Sequence, residues 1–190
     1  MPETIAILLA GGESRRMGQP KALLDWRGQP LWQHLRDVLL AAGCARVLVS
    51  GHFPGTIPEA IADTTPGLGP LGGIATLAAP LENGTTLLVV PVDLPLLDVA
   101  TLRTLLKAQP QAGALHYATH ALPARFRLDD AFHNALAACL ADGNPRRRSL
   151  QALAAALAAG ELPLDAPAAQ ALTNTNTPEE WQRALDEHAR

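Results

Sequence analysis

Three short stretches of the sequence carry residue types that could do phosphate chemistry. In the first, Gly11 and Gly12 directly follow an apolar run, and Ser14, Arg15, Arg16, Gly18 and Lys21 come soon after. Glycines let backbone groups come close to phosphate oxygens, and Arg16 and Lys21 would offset their charge. A surface loop with solvated arginines is the alternative that these residues alone leave open. The stretch contains neither the G-x-x-x-x-G-K-[ST] string of a Walker A loop nor the G-x-G-x-x-G dinucleotide spacing. In the second, Asp93 ends the apolar run TTLLVVPV and stands between Pro91 and Pro95. A carboxylate held there suits a hard cation such as Mg²⁺, which takes one or two carboxylates and fills its octahedron with water and substrate phosphates. The competing reading is a turn aspartate bonded to its own backbone. The third stretch, TPGLGPLGGI at residues 65–74, holds four glycines and two prolines and reads as a loop.

These stretches need elements to hold them. Thr4–Leu9 (TIAILL) reads as a strand buried on both faces of a parallel sheet. Pro30 opens a helix over LWQHLRDVLLAA, with Gly43 placed to end it. Arg46–Ser50 is a second strand and Thr85–Val92 the strongest one. A helix is expected over Ile74–Leu81, and another after Asp98 as N-cap. Ala114–Ala118 and Ala124–Arg127 are weaker strands. Helices are then expected over Asp129–Ala141 and Arg147–Ala159, the latter stopped by Gly160. Thr177 and Glu180 have capping-box spacing, and Pro178 sits at the first position of a helix reaching His188. Strands alternating with helices imply an α/β protein: a Rossmann-like, mostly parallel open sheet with helices on both faces. In such sheets ligands bind beyond the carboxyl ends of the strands, where Gly11 and Asp93 fall.

Composition narrows the function classes. The chain of 190 residues is 48% hydrophobic and 17% charged, which suits one compact domain over residues 1–190. A net charge of −3 supplies no positive field for nucleic acid. No apolar run reaches the roughly 18 residues of a membrane span. Glu3 stands where a secretory leader would carry basic residues, so a cytoplasmic protein is expected. Cys44 and Cys139 are far apart and flanked by alanine, which reads as small buried hydrophobes. His116 and His120 fall in a strand-like segment, where four residues span about 13 Å, too far for one ion. Arg146–Arg148 reads as a solvated charge run, with an anionic ligand as the alternative. Trp26, Trp32 and Trp181 read as packing residues.

The full string Leu9-Ala10-Gly11-Gly12-Glu13-Ser14-Arg15-Arg16-Met17-Gly18-Gln19-Pro20-Lys21 resembles the L-A-G-G-x-S-x-R-M-G-x-x-K signature of the molybdenum cofactor nucleotidyltransferases, most closely the MobA family of guanylyltransferases. The resemblance continues in order through Gly28-Gln29-Pro30-Leu31, Gly69-Pro70-Leu71-Gly72-Gly73, Pro91-Val92-Asp93-Leu94-Pro95 and Asn174-Thr175-Asn176-Thr177-Pro178. It implies a nucleotide-diphospho-sugar transferase-like fold and transfer of GMP from GTP onto molybdopterin, with release of pyrophosphate. It also implies that backbone groups of Leu9, Ala10, Gly11 and Gly12, together with Ser50, Asp63, Gly69 and Gly73, hold the nucleotide. By the same resemblance Lys21 meets its phosphates, Asp93 carries Mg²⁺, Arg16 helps Lys21 stabilise charge, and Asn174 and Asn176 serve the pterin substrate. Partners implied are GTP and molybdopterin, with transient contacts to cofactor-synthesis or acceptor proteins.

Two positions depart from the family pattern. Ser50 replaces a common asparagine, with shorter reach and fewer donors. Gly72-Gly73 replaces the commoner Ala-Gly, which is expected only to loosen a loop. Three rivals stand beside guanylyl transfer: cytidylyl transfer to the same cofactor, transfer to a sugar or polyol phosphate, and a non-catalytic GTP-binding module. Cytidylyl relatives tend to carry Ala-Ala-Gly and lack Gly-Pro-Leu. A binding module need not keep both Lys21 and Asp93.

Overall fold

The computed structural model describes residues 3–11, 18–144 and 146–188. In chain order the elements are β1 (Thr4–Leu9), a short hairpin of β2 (Asp25–Trp26) and β3 (Gln29–Pro30), α1 (Leu31–Ala42), β4 (Arg46–Ser50), β5 (Ala60–Ile61), α2 (Pro70–Ala78), β6 (Thr86–Pro91), α3 (Val99–Lys107), β7 (Ala114–Tyr117), β8 (Ala124–Arg127), α4 (Asp130–Ala141), α5 (Leu150–Ala156), β9 (Gly160–Leu162), α6 (Ala166–Ala171) and α7 (Pro178–His188). Seven strands form one sheet in the order β5-β4-β1-β6-β8-β7-β9. β1 pairs parallel with both β4 and β6. Within this sheet, among the described residues, only β8 runs against its neighbours, antiparallel to both β6 and β7. The carboxyl ends of the other strands therefore share one edge.

The alternation of side chains along the buried strands builds a core on each face. Ala6 and Leu8 of β1 and Leu88 and Val90 of β6 face one way, against α1, α3, α6 and α7. Ile7, Leu9, Leu87 and Val89 face the other way, against α2, α4 and α5. Helices thus cover both faces, as the strand–helix alternation predicts.

β1, β4, β8 and α7 begin and end where the sequence places them. Asp98 caps α3 by accepting the Thr101 N–H at 2.7 Å. Three expectations shift. The helix expected at Ile74–Leu81 spans Pro70–Ala78, so the Gly-Pro-Leu stretch is its first turn rather than a loop, with Pro70 at a position that requires no N–H. The helix expected at Arg147–Ala159 is only Leu150–Ala156, because Ser149 caps it through the Ala152 N–H. Gly160 stops no helix; it opens edge strand β9, where a Cβ would press on Gln109 and Leu115.

β8 carries a residue that the sequence reading passed over. Arg125 is 5% exposed and donates to the carbonyls of Leu105, Leu106, Ala108, Gln109 and Ala112 at 2.7–3.4 Å. These carbonyls close the C-terminal end of α3, where the helix dipole favours a cation. Burial lowers the guanidinium pKa from its ordinary value. An arginine still keeps its proton there.

Candidate active site

Two clusters occupy the shared carboxyl edge. The first lies where β1, β4 and the start of α2 meet. The N–H groups of Ala10 and Gly11 both donate to the Ser50 carbonyl at 2.9 Å. Their amide hydrogens are thus committed within the fold. Gly51, with φ of 147°, leaves β4 in a conformation that suits glycine, and a Cβ there would lie 3.0 Å from the Gly11 nitrogen and collide with the Phe53 ring. Ser50 donates from Oγ to Asp63 Oδ1 at 3.2 Å. Gly73 of α2 sits against that pair: a Cβ on it would overlap Ser50 Oγ and lie 3.2 Å from Asp63 Oδ1. A Cβ on Gly72 would lie 3.1 Å from Asp63 Oδ2. Gly72 and Gly73 therefore box in a carboxylate from inside a helix; they do not loosen a loop. Leu9, Gly11, Ser50, Asp63, Gly69 and Pro70 all line one cavity of about 830 Å³. Thr64, held to Thr76 of α2 by hydrogen bonds of 3.0 and 3.1 Å, ties the segment after Asp63 to that helix.

The second cluster gathers three side chains from distant parts of the chain. Lys21 opens a short 3₁₀ turn at Lys21–Leu23. Its Nζ donates to Asn176 Oδ1 at 2.6 Å and lies 3.6 Å from Asp93 Oδ2. Asp93 follows β6, whose end is fixed by the Val92 N–H donating to the Leu9 carbonyl at 3.1 Å. The Lys21 side chain is 13% exposed and that of Asp93 26%, so both can meet a ligand while shielded from bulk water.

Thr175 locks this arrangement. It is 1% exposed, and both its N–H (2.9 Å) and its Oγ1 (3.4 Å) reach the Asp93 carbonyl. Asn174 and Asn176 on either side of it are exposed. The Asn-Thr-Asn alternation is an in-out signal that could have marked Thr175. The capping box forms as the spacing predicts: Thr177 Oγ1 accepts the Glu180 N–H at 3.2 Å and Glu180 accepts the Thr177 N–H at 3.1 Å. Glu180 also accepts the Asn176 N–H at 2.6 Å, and this bond above all holds its carboxyl below the ordinary carboxylate range. The α7 cap is thereby joined to the residue that holds Lys21.

The expected site residues thus fall into two groups on one edge: Leu9, Ala10, Gly11, Ser50, Asp63, Gly69 and Gly73 in the first, and Lys21, Asp93 and Asn176 in the second, while Asn174 is exposed beside Thr175 with no contact to the second group among the described bonds. Gly12, Ser14, Arg15 and Arg16 lie outside the described residues. Trp26 packs edge-on against Trp181 at 5.3 Å between ring centroids and joins β2 to α7, a packing role as expected. Cys44 and Cys139 are buried, and burial pushes the Cys44 thiol up to about 12. Arg146 and Arg147 are exposed, Arg147 lying 3.9 Å from Asp142. No helix among the described residues is long and apolar enough to cross a membrane.

Comparison with known proteins extends this picture. Residues 6–160 match the family model described as the MobA-like NTP transferase domain. The chain is 43% identical over 182 residues to the molybdenum cofactor guanylyltransferase of Xanthomonas euvesicatoria pv. vesicatoria (strain 85-10), covering 96% of this chain and 94% of that one. Among solved structures it resembles molybdopterin-guanine dinucleotide biosynthesis protein A from Archaeoglobus fulgidus, with a TM-score of 0.76 and 19% identity over 97% of this chain and 98% of that one. It also resembles Rv0371c from Mycobacterium tuberculosis in its complex with manganese, with a TM-score of 0.63 and 18% identity over the same shares. At these identities the two structures share the fold. The family match and the near full-length identity to the Xanthomonas enzyme go further: the chain belongs to the MobA-like NTP transferase family.

Proposed function

We propose that this protein transfers GMP from GTP to molybdopterin and releases pyrophosphate. The observation that carries this reading is the Lys21–Asp93–Asn176 cluster, set beside a nucleoside-sized cavity on the same sheet edge. The names of the relatives support it. The guanine end of GTP enters the 830 Å³ cavity, where Asp63 offers paired acceptors to the adjacent N–H donors of guanine. Leu9, Gly11 and Gly69 shape its walls. Because the Ala10 and Gly11 amide hydrogens are committed to the Ser50 carbonyl, these two residues serve through close approach and carbonyls rather than as amide donors.

The acceptor phosphate attacks the α-phosphorus of GTP. A phosphorus–oxygen bond forms to the acceptor oxygen as the bond to the bridging α–β oxygen breaks, and pyrophosphate leaves with that electron pair. The attacking monoester is already anionic, so no side chain need take a proton. The chain contributes alignment and charge. Lys21 faces the phosphates, with Arg16 as a second cation. Asn176 orients Lys21 and, with Asn174, meets the acceptor.

Magnesium is the metal we assign. The donor set fits it: Asp93 presents a hard, partly exposed oxygen, and among the described residues no group of three or more His, Cys, Asp or Glu encloses an ion. That arrangement suits a cation that keeps water and substrate phosphates in its shell. Bound at Asp93, it would offset charge on the reacting phosphates. The manganese complex of the Mycobacterium protein supports divalent-metal use at this fold.

The deciding experiment incubates the protein with Mg²⁺, molybdopterin and each nucleoside triphosphate in turn and follows pyrophosphate. GTP should bind at least about tenfold tighter than CTP or ATP, a ratio that needs only about 1.4 kcal/mol. A preference for CTP would replace guanylyl with cytidylyl transfer. Turnover with sugar phosphates and none with molybdopterin would move the enzyme to another acceptor class.

A further inference from the structure

A second cavity, of about 370 Å³, lies between α5 and the paired strands β7 and β9. Alanines of α5, Ala155 among them, line one side, and His116, Thr119, His120, Gln151 and Glu161 supply its polar groups. The sequence reading separates the two histidines by an extended chain. In the structure β7 ends at Tyr117, and Thr119 turns the chain at φ of 66°, so both rings come to one cavity. Among the described residues they belong to no metal-binding group.

The hydrogen bonds define what these rings offer. His116 Nδ1 lies 2.9 Å from the Tyr117 carbonyl, and His120 Nδ1 lies 3.1 Å from the Ala118 carbonyl and 3.2 Å from Thr119 Oγ1. A carbonyl can only accept, so Nδ1 carries the hydrogen in both rings. In the neutral ring Nε2 is then an acceptor. Glu161, in register with His116 across the β7–β9 pair, adds a carboxylate. The cavity thus offers acceptors beside a flat wall of small side chains. That combination suits a planar heterocycle rich in N–H donors, and the 2-amino-4-oxopyrimidine edge shared by guanine and pterin has this character.

Position favours the pterin. β7 runs parallel to β6 and stands two places from it, so its carboxyl end lies on the edge that bears Asp93, displaced by about 10 Å of strand spacing. Guanine already has the cavity at the opposite side of that edge, beside β4 and β5. We infer that the cavity between α5 and β7–β9 receives the pterin ring of the acceptor while its phosphate lies at Asp93. This rests on the transfer reaction proposed above and names the ring subsite for it.

The test uses the full chain with unsubstituted pterin as a fluorescent probe and GMP as the competing source of the same edge. Two variants alter the cavity: Ala155→Trp, which fills it from an exposed helix position, and Glu161→Gln, which removes the charge with almost no change in volume. Thermal melting checks that both fold. The expected result is that pterin binds the native protein, weakens at least tenfold in Ala155→Trp and severalfold in Glu161→Gln, and leaves GTP affinity unchanged in both. With molybdopterin and GTP, both variants should raise the acceptor KM more than they lower kcat. Pterin binding that neither variant disturbs, or no pterin binding at all, overturns the assignment. So does GMP binding that Ala155→Trp abolishes, since the cavity would then serve a nucleotide. If transfer to molybdopterin proceeds with an unchanged acceptor KM in both variants, the ring subsite falls and the reaction stands. If no nucleotide is transferred to molybdopterin by the native protein, the reaction itself falls.

Discussion

The two clusters on the carboxyl edge are built by opposite means. The corner around Ser50, Asp63 and Gly73 draws on neighbouring parts of the chain and on close contact: a carboxylate boxed by two helical glycines, and a strand end laid against Gly11. The cluster around Asp93 brings Lys21 to Asn176 across 155 positions and depends on charge and hydrogen bonds. A shape-built corner can read a base but tolerates no added methyl. A charge-built cluster tolerates small changes of shape but no loss of charge. Steric and electrostatic substitutions should therefore have different consequences in the two places.

The largest effect is expected at Asp93. Asp93→Asn keeps size and shape and removes the charge that suits a hard cation. Turnover should fall roughly a thousandfold or more, equivalent to several kcal/mol at the transition state, while melting temperature and GTP affinity change little. Near-native pyrophosphate release at ordinary Mg²⁺ would reduce Asp93 to a turn residue.

Gly73→Ala is the matching steric test. Its Cβ would displace Ser50 Oγ from the bond to Asp63. Overpacking of this kind costs about 1–3 kcal/mol. GTP affinity should fall roughly tenfold to a hundredfold. In the double variant with Ser50→Ala the overlap is relieved, so melting temperature should recover while GTP affinity stays low. Recovery of both would mean that Ser50 does not position Asp63.

How much of this was legible in the sequence differs between the clusters in the same way. β1, β4 and α7 were readable because an apolar run, a helical period or a capping box is local. The first turn of α2 was not, since glycine and proline argue against a helix unless tertiary contact demands them. Here Asp63 and Ser50 leave no room for larger side chains at Gly72 and Gly73. β2, β3, β5 and β9 have two or three residues each, too few to show a period. Lys21 and Asp93 are legible from residue type and position and Asn176 through family resemblance, but no spacing says that they meet. Thr175, which holds Asp93 in place, went unnoticed between its two asparagines.

Smaller effects are expected at the asparagines. Asn176→Ala removes the partner of Lys21 and should weaken acceptor binding by about tenfold, the size of one charge-assisted hydrogen bond, with less effect on GTP. Asn174→Ala should act the same way and more weakly. A lowered melting temperature with unchanged acceptor affinity would show that the pair only holds the turn before α7.

The smallest effect concerns acid. The Glu180 carboxyl is held below its ordinary range, chiefly by the Asn176 N–H. Its contribution is therefore complete above the unfolded-state value, near 4.3, and is lost as pH falls through the lower folded value. A modest, severalfold rise in acceptor KM should appear only in that acid window and vanish in Glu180→Gln. The same rise in the variant would assign it to another carboxylate.

The place of β8 bears on how the chain reaches this state. β8 is made after β7 yet inserts between β7 and β6. Until residues 124–127 arrive, the free side of β6 is an unpaired apolar edge, a template for joining another chain. The same strand carries Arg125, whose guanidinium terminates α3. Sealing of the edge and closure of the helix are therefore one event. A nascent or refolding chain halted before it already contains Asp93, mounted on an open sheet prone to self-association. Conditions that slow the insertion of β8 should govern the yield of active enzyme more than its final stability does.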